Sequence, residues 1–141
     1  MNQMNQNFYF IVVLLAMISM INADLPPFVP CNNVAQSPLL VVNISPANLV
    51  PGGQLDINAS GSLSVTIPVG SRFNAVFIDA NNSIISRVSK DFCTQSRSTC
   101  PVAPGVQFSI NTTLSVPFDI QGLALSVNIA DPSQNPLFCA V

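Results

Sequence analysis

The sequence predicts an all-β domain of antiparallel strands. Apolar residues recur with period two in several short runs, and turn-forming residues separate those runs. Four cysteines are available to staple the result. Leu55, Ile57 and Ala59 alternate with Gln54, Asp56 and Asn58. Leu63, Val65, Ile67 and Val69 alternate with Ser62, Ser64, Thr66 and Pro68. Val106, Phe108 and Ile110 alternate with Gln107, Ser109 and Asn111, and Leu123, Leu125, Val127 and Ile129 with Ala124, Ser126, Asn128 and Ala130. Successive strand side chains point to opposite faces, so each run is expected to bury one face and wet the other. Leu39 to Ile44, the expected first strand, is apolar on both faces. So is Phe73 to Ile78, which is expected to be buried on both sides.

Pro51-Gly52-Gly53, Ser60-Gly61, Val69-Gly70, Asn81-Asn82, Pro104-Gly105 and Asp131-Pro132 supply turn chemistry between the runs. No amphipathic helix is expected beyond residue 23. Closely spaced strands with no helix between them indicate a sandwich or a barrel.

The first residues read differently. Phe8 to Ile21 is an apolar run of 14 residues, shorter than the roughly 20 that span a bilayer. It suits the apolar region of a signal peptide helix, with Ala23 as the small residue before a cut at Asp24. Met1 to Asn7 has no Lys or Arg, so only the α-amino group supplies positive charge; an uncleaved signal anchor is the rival reading. Either way the remainder faces a lumen or the outside, and residues 24–141 are expected to form one domain.

Composition narrows what that domain does. The chain has 4 Lys and Arg, 6 Asp and Glu together, no His, and net charge −2. Nucleic-acid binding rests on neutralising phosphates with Lys and Arg, so it is not expected. Charged residues make up only 7%, against about 25% in ordinary soluble domains. N-linked sugar is the expected substitute. N-x-[ST] occurs at Asn43, Asn58, Asn81 and Asn111 with no Pro in the middle position. Strand alternation turns Asn58 and Asn111 outward, and Asn81 falls in a turn.

Cys31, Cys93, Cys100 and Cys139 imply two disulfides in an oxidising compartment. Three pairings are possible. Cys93–Cys100 is favoured as a local clip and Cys31–Cys139 as a tie between the start and end of the domain. A zinc site is disfavoured by the spacing and by the lack of His.

Nucleophilic catalysis with a His base is excluded, because there is no His. Asp56 falls on an outward strand position, while Asp79, Asp119 and Asp131 fall in or near turns. No phosphate loop, metal cluster or cofactor site is expected, and the chain is not expected to be an enzyme.

Several stretches together resemble the ML lipid-recognition family. They are Ile44-Ser45-Pro46 followed by Pro51-Gly52-Gly53-Gln54-Leu55; Ala59-Ser60-Gly61-Ser62-Leu63; Asp91-Phe92-Cys93; Cys100-Pro101-Val102 with Gly105; and Asp131 through Leu137-Phe138-Cys139. The chain resembles phosphatidylglycerol/phosphatidylinositol transfer proteins and soluble Niemann-Pick type C sterol-transfer proteins. It lacks the extra cysteine pair of animal sterol binders. Where many phospholipid-transfer members have a Pro-Pro-Gly-Lys-Tyr-like step, it has Val116 to Gly122, without the Lys.

The resemblance implies an immunoglobulin-like two-sheet antiparallel β-sandwich with a lipid cavity between the sheets. It implies binding and transfer of a sterol or phospholipid, with transient contact to membranes or a membrane acceptor protein. The expected site is secreted or the endolysosomal lumen, and the expected state a monomer. On strand alternation the lining would comprise Leu55 and Ile57, Val65 and Ile67, Phe73 and Phe77, Phe108 and Ile110, and Leu123, Leu125 and Val127. Val116, Pro117, Phe118 and Ile120 match the segment that borders the pocket mouth in sterol-binding relatives. The competing expectation is an immunoglobulin-like adhesion or recognition module with a solid core.

Overall fold

The computed structural model describes residues 23–24, 27–31 and 40–141. The expected signal peptide helix lies outside the described residues, apart from Ala23. The elements are β1 (Ala23–Asp24), β2 (Val41–Ser45), β3 (Asn48–Leu49), β4 (Gln54–Gly61), β5 (Arg72–Ile78), β6 (Ile84–Asp91), α1 (Phe92–Gln95), β7 (Phe108–Ser115), β8 (Ala124–Ala130) and β9 (Pro136–Ala140). They form two antiparallel sheets, ordered β2-β4-β7 and β6-β5-β8-β9, beside a short β1-β3 ribbon.

The alternation read from the sequence sets the faces of β4, β7 and β8. Leu55, Ile57 and Ala59 on β4 are buried, as are Phe108, Ile110, Thr112 and Leu114 on β7. Leu125, Val127 and Ile129 continue the inner face on β8. β5 is the strand apolar on both sides. It sits inside its sheet, and Phe73 through Phe77 are all buried. The inner faces of both sheets join one apolar cluster. Beyond β9, Val29 and Val141 exchange backbone hydrogen bonds of 2.9 Å, and Pro30 bridges Ala140, so the start of the domain extends the four-stranded sheet.

Both favoured disulfides are present. Cys31–Cys139 spans a Cα–Cα distance of 5.4 Å and Cys93–Cys100 one of 5.7 Å. The first clamps the added segment to β9. The second closes the turn that follows α1.

Three strand expectations are corrected. Leu63 to Val69 is not a strand: only Ile67 pairs, as an isolated bridge to Val102. At Gly61 the backbone takes φ 141°, a conformation that favours glycine, and β4 ends. The chain then crosses from the three-stranded to the four-stranded sheet. Leu63 and Ile67 turn into the core during the crossing, while Val65 is 44% exposed and Val69 also faces solvent. Val106 is exposed and precedes β7, which starts at Phe108. β2 covers Val41–Ser45, so it starts later than expected, and Leu39 lies outside the described residues.

Candidate functional site

The apolar layer between the sheets is the candidate site. Of the expected lining, Leu55, Ile57, Ile67, Phe73, Phe77, Phe108, Ile110, Leu125 and Val127 are buried members of the shared cluster. Leu123 is half-buried and packs against it. Val65 does not join them; it points away from the layer at the crossover.

One inner-face residue breaks the apolar pattern. Thr112 lies in the row Ile44–Ile57–Thr112 across the three-stranded sheet. It is 7% exposed and its hydroxyl has no hydrogen-bond partner. Continuing the Phe108 and Ile110 alternation would have found it in the sequence.

The two ends of the sandwich differ. At one end lie the 62–71 crossover and the 92–107 connection. Leu63, Ile67, Phe92 and Val102 are buried there. Backbone bonds pin the two segments: Ile67 and Val102 exchange a pair at 2.9 Å, the Gly105 N–H donates to the Leu63 carbonyl at 2.8 Å, and the Phe92 N–H donates to the Ser71 carbonyl at 2.9 Å. The Phe92 and Phe108 rings meet edge to face, their centroids 5.0 Å apart. The Cys93–Cys100 disulfide closes this end.

At the other end lie the 50–53 turn and the 116–123 connection. Val116 is buried, Pro117 and Ile120 are half-buried, and Phe118 is 88% exposed. The Phe118 ring lies over Gly52: a Cβ on Gly52 would sit 2.5 Å from the ring's Cε1. Gly52 has φ +73°, and its N–H donates to the Val116 carbonyl at 3.1 Å. Val50, Ile84 and Ile85 are also exposed. Large apolar side chains reach solvent at both ends, Val65, Val69 and Val106 at the first, but the exposed aromatic ring is at this one. The expected mouth segment is here, tied to the 50–53 turn by the Gly52 N–H and by the Val116 N–H, which donates to the Gly53 carbonyl at 2.9 Å; only strand pairing in space brings the two segments together.

The aspartates described with their side chains serve local structure. Asp56 accepts from the Thr113 hydroxyl at 2.7 Å, and Asp79 from the Asn81 and Ser83 N–H groups at 2.8 and 2.9 Å. Asp119 accepts from the Gln121 N–H at 3.1 Å. Asp91 caps α1, accepting from the Thr94 N–H at 2.9 Å and its hydroxyl at 3.0 Å. Those two bonds hold its carboxyl below the ordinary value of 3.8. Asp131 is lowered likewise by the Asn135 side-chain amide and N–H. Among the described residues no group of three or more His, Cys, Asp or Glu could hold a metal ion. Nor, among them, is any helix long and apolar enough to cross a membrane.

Polar residues hold the outer face of the three-stranded sheet. A groove of about 590 Å³ runs across it. Asn43, Asn58 and Asn111 form one wall and Ser45, Asp56 and Thr113 the other, with Lys90 and Gln95 also lining it.

A two-sheet antiparallel sandwich with an apolar interior, clamped by two disulfides, defines a class of small β-domains. A family model for the ML domain matches residues 26–141. The chain belongs to the ML domain family. Among solved structures it is similar to a Niemann-Pick type C2 protein from Japanese carpenter ant, with TM-score 0.56, 13% identity, and coverage of 80% of this chain and 93% of that one. It is similar also to chicken MD-1, solved in complex with lipid IVa, with TM-score 0.52, 14% identity, and coverage of 80% and 83%. The C-terminal domain of wzt shares the fold at TM-score 0.51 and 10% identity, over 80% of this chain and 71% of that one. No curated protein matches by sequence.

Proposed function

We propose that the protein is a non-enzymatic lipid carrier that takes a sterol or phospholipid between its two sheets, through the end bordered by residues 50–53 and 116–123. Lipid binding is the general property of the ML family; the choice of sterol or phospholipid rests on the resemblance in sequence, and the route on the residues at the two ends. The observation that carries the route is the exposed Phe118 ring beside the apolar layer, set against the opposite end, where Phe92 is buried and the connection is clipped by a disulfide.

The physical logic is transfer out of water. Each buried methylene is worth roughly 0.8 kcal/mol, so a chain of about 14 carbons costs on the order of 11 kcal/mol to carry bare. Separating two sheets joined through apolar side chains opens a dry space without exposing backbone polar groups, because strand pairing lies within each sheet. At the end bordered by residues 50–53 and 116–123 the Ser86 hydroxyl donates to the Ser115 carbonyl at 2.8 Å, so the β6–β7 side of the mouth stays tied and the sheets would part on the side away from it. Leu55, Ile57, Phe73, Phe77, Phe108, Ile110, Leu123, Leu125 and Val127 would line the opened space, with Val116, Pro117, Phe118 and Ile120 at its mouth. Ile67 would form its floor. No residue is assigned a catalytic role.

The same reading places the mature protein, cut before Asp24, outside the cell or in the endolysosomal lumen. The two disulfides suit that oxidising compartment. The test is mass spectrometry of lipid extracted from the natively purified protein, with transfer of fluorescent sterol and phosphatidylglycerol between vesicles. A stoichiometric lipid and measurable transfer are expected. Absence of bound lipid, together with no transfer of either probe by the disulfide-intact protein, would refute the proposal.

A further inference from the structure

We infer that N-linked sugar on Asn58 and sugar on either cross-strand neighbour, Asn43 or Asn111, exclude one another in the folded protein. The inference is independent of lipid carriage and needs only that the chain passes through a secretory lumen. In the sequence the three motifs are unrelated: Asn43 and Asn111 lie 15 and 53 residues from Asn58. The register brings them into one row, Asn43 opposite Asn58 on β2 and β4, and Asn58 opposite Asn111 on β4 and β7. All three project from the outer face of the three-stranded sheet, along one wall of its groove.

Paired strands run about 4.7–4.9 Å apart, and directly opposite Cβ atoms about 4.5–5.5 Å. A hydrated pyranose ring is wider than that spacing, so sugars on adjacent strands of this row collide at their first residue. Alternate strands, roughly twice as far apart, accommodate two. The hydrogen bonds add a second term. The Asn58 Nδ2 donates to the Ser109 hydroxyl at 3.1 Å and also to the Asn111 Oδ1. Asn111 enters the row as an acceptor, so its own Nδ2 is not used in that bond. Sugar on Asn58 replaces one of its two N–H groups; sugar on Asn111 leaves the contact with Asn58 intact. Asn81, in the turn after β5, stands outside the row and is unrestricted.

The modification joins the sugar C1 to Nδ2. The C1–O bond of a lipid-linked oligosaccharide diphosphate breaks, the amide nitrogen loses a proton, and the lipid diphosphate leaves. Sugar is added to the extended chain, so the exclusion acts when β2, β4 and β7 pair. Chains with sugar on adjacent strands fail to form that sheet and drop out of the secreted pool.

The sequence offers a direct readout. No Lys or Arg lies between Asp24 and Arg72, so one tryptic fragment carries both Asn43 and Asn58, while Asn81 and Asn111 fall on two others. The full chain is secreted from a eukaryotic host, trimmed to one N-acetylglucosamine per site, and weighed whole and as fragments. The fragment ending at Arg72 is expected to carry one sugar, with the double form below a tenth of the product of the two single occupancies. No intact molecule is expected to carry four. Replacing by Gln the row members that carry sugar (Asn58→Gln, or Asn43→Gln with Asn111→Gln) is expected to raise occupancy at the bare neighbour at least twofold. A double form at the product of occupancies, four sugars on one molecule, or no rise in those variants would overturn the inference. A bare row would also overturn it, and a bare Asn81 in the same sample would trace that failure to the secretory premise.

Discussion

The two ends of the sandwich are covered by unequal lengths of chain: residues 62–71 and 92–107 at one, the shorter 50–53 and 116–123 at the other. At the closed end two connections bridge each other through Ile67 and Val102, bury Leu63 and Phe92, and are clipped by Cys93–Cys100. At the open end the 116–123 connection is tied to the 50–53 turn through Gly52, and its aromatic side chain lies outside. A sandwich that must admit a ligand needs one end that holds the sheets in register and another that yields. Local stability in proteins is unequal in this way, with binding segments drawn from the weaker part.

The comparison breaks first in the core of the closed end. Phe92→Ala removes a fully buried ring and is expected to cost about 3–5 kcal/mol in urea unfolding. Leu123→Ala, half-buried at the open end, is expected to cost less than half as much. Equal costs would remove the distinction. Replacing Cys93 and Cys100 by Ser is expected to cost about 2–3 kcal/mol for this short loop. Hydrogen exchange should then rise at residues 62–71 and 92–107, but not at 116–123.

At the open end, Gly52→Ala forces a left-handed backbone on an L side chain and displaces the Phe118 ring, for an expected loss of about 1–2 kcal/mol. Alanine at Gly122, also at positive φ but with open space around it, is expected to cost the strain without the collision. The smallest expected effect is titration of the closed end. The Asp91 carboxyl is lowered in the folded protein, so its contribution is fully present above the unfolded value near 3.8 and fades as pH falls through the folded value. Thermal scans from about pH 6 to 2 should show Asp91→Asn losing less stability on acidification than the parent.

Much of the architecture was legible in the sequence. Alternation placed both faces of β4 and β7 and the inner face of β8, although Ser126 and Ala130 on the other face of β8 are buried too, and the doubly apolar run from Phe73 to Ile78 is the interior strand β5. The disulfide pairing was legible too. β6 was not, because it is an edge strand: Arg87 and Lys90 interrupt it, and a register shift opposite Phe77 and Ile78 spoils its period. β9 is short and begins at a proline. The false strand at Leu63 to Val69 shows the opposite error. Its period of two is real, but Gly61 turns the chain away from the sheet, and Leu63 and Ile67 bury themselves as a cap while Val65 does not. In the candidate site, strand alternation found the inner-face residues. The inequality of the ends was hidden, because it rests on Ile67 meeting Val102 and Phe118 meeting Gly52, contacts between segments far apart in sequence.

The central claim, that lipid passes through the open end, is tested most directly by vesicle transfer with two charge substitutions at exposed apolar residues on opposite ends. Phe118→Asp and Val65→Asp are both expected to change stability by no more than about 0.5 kcal/mol. Transfer of fluorescent sterol or phosphatidylglycerol is expected to fall at least tenfold in Phe118→Asp and to stay at the parent rate in Val65→Asp. Equal rates in the two variants, or a loss confined to Val65→Asp, would contradict the account.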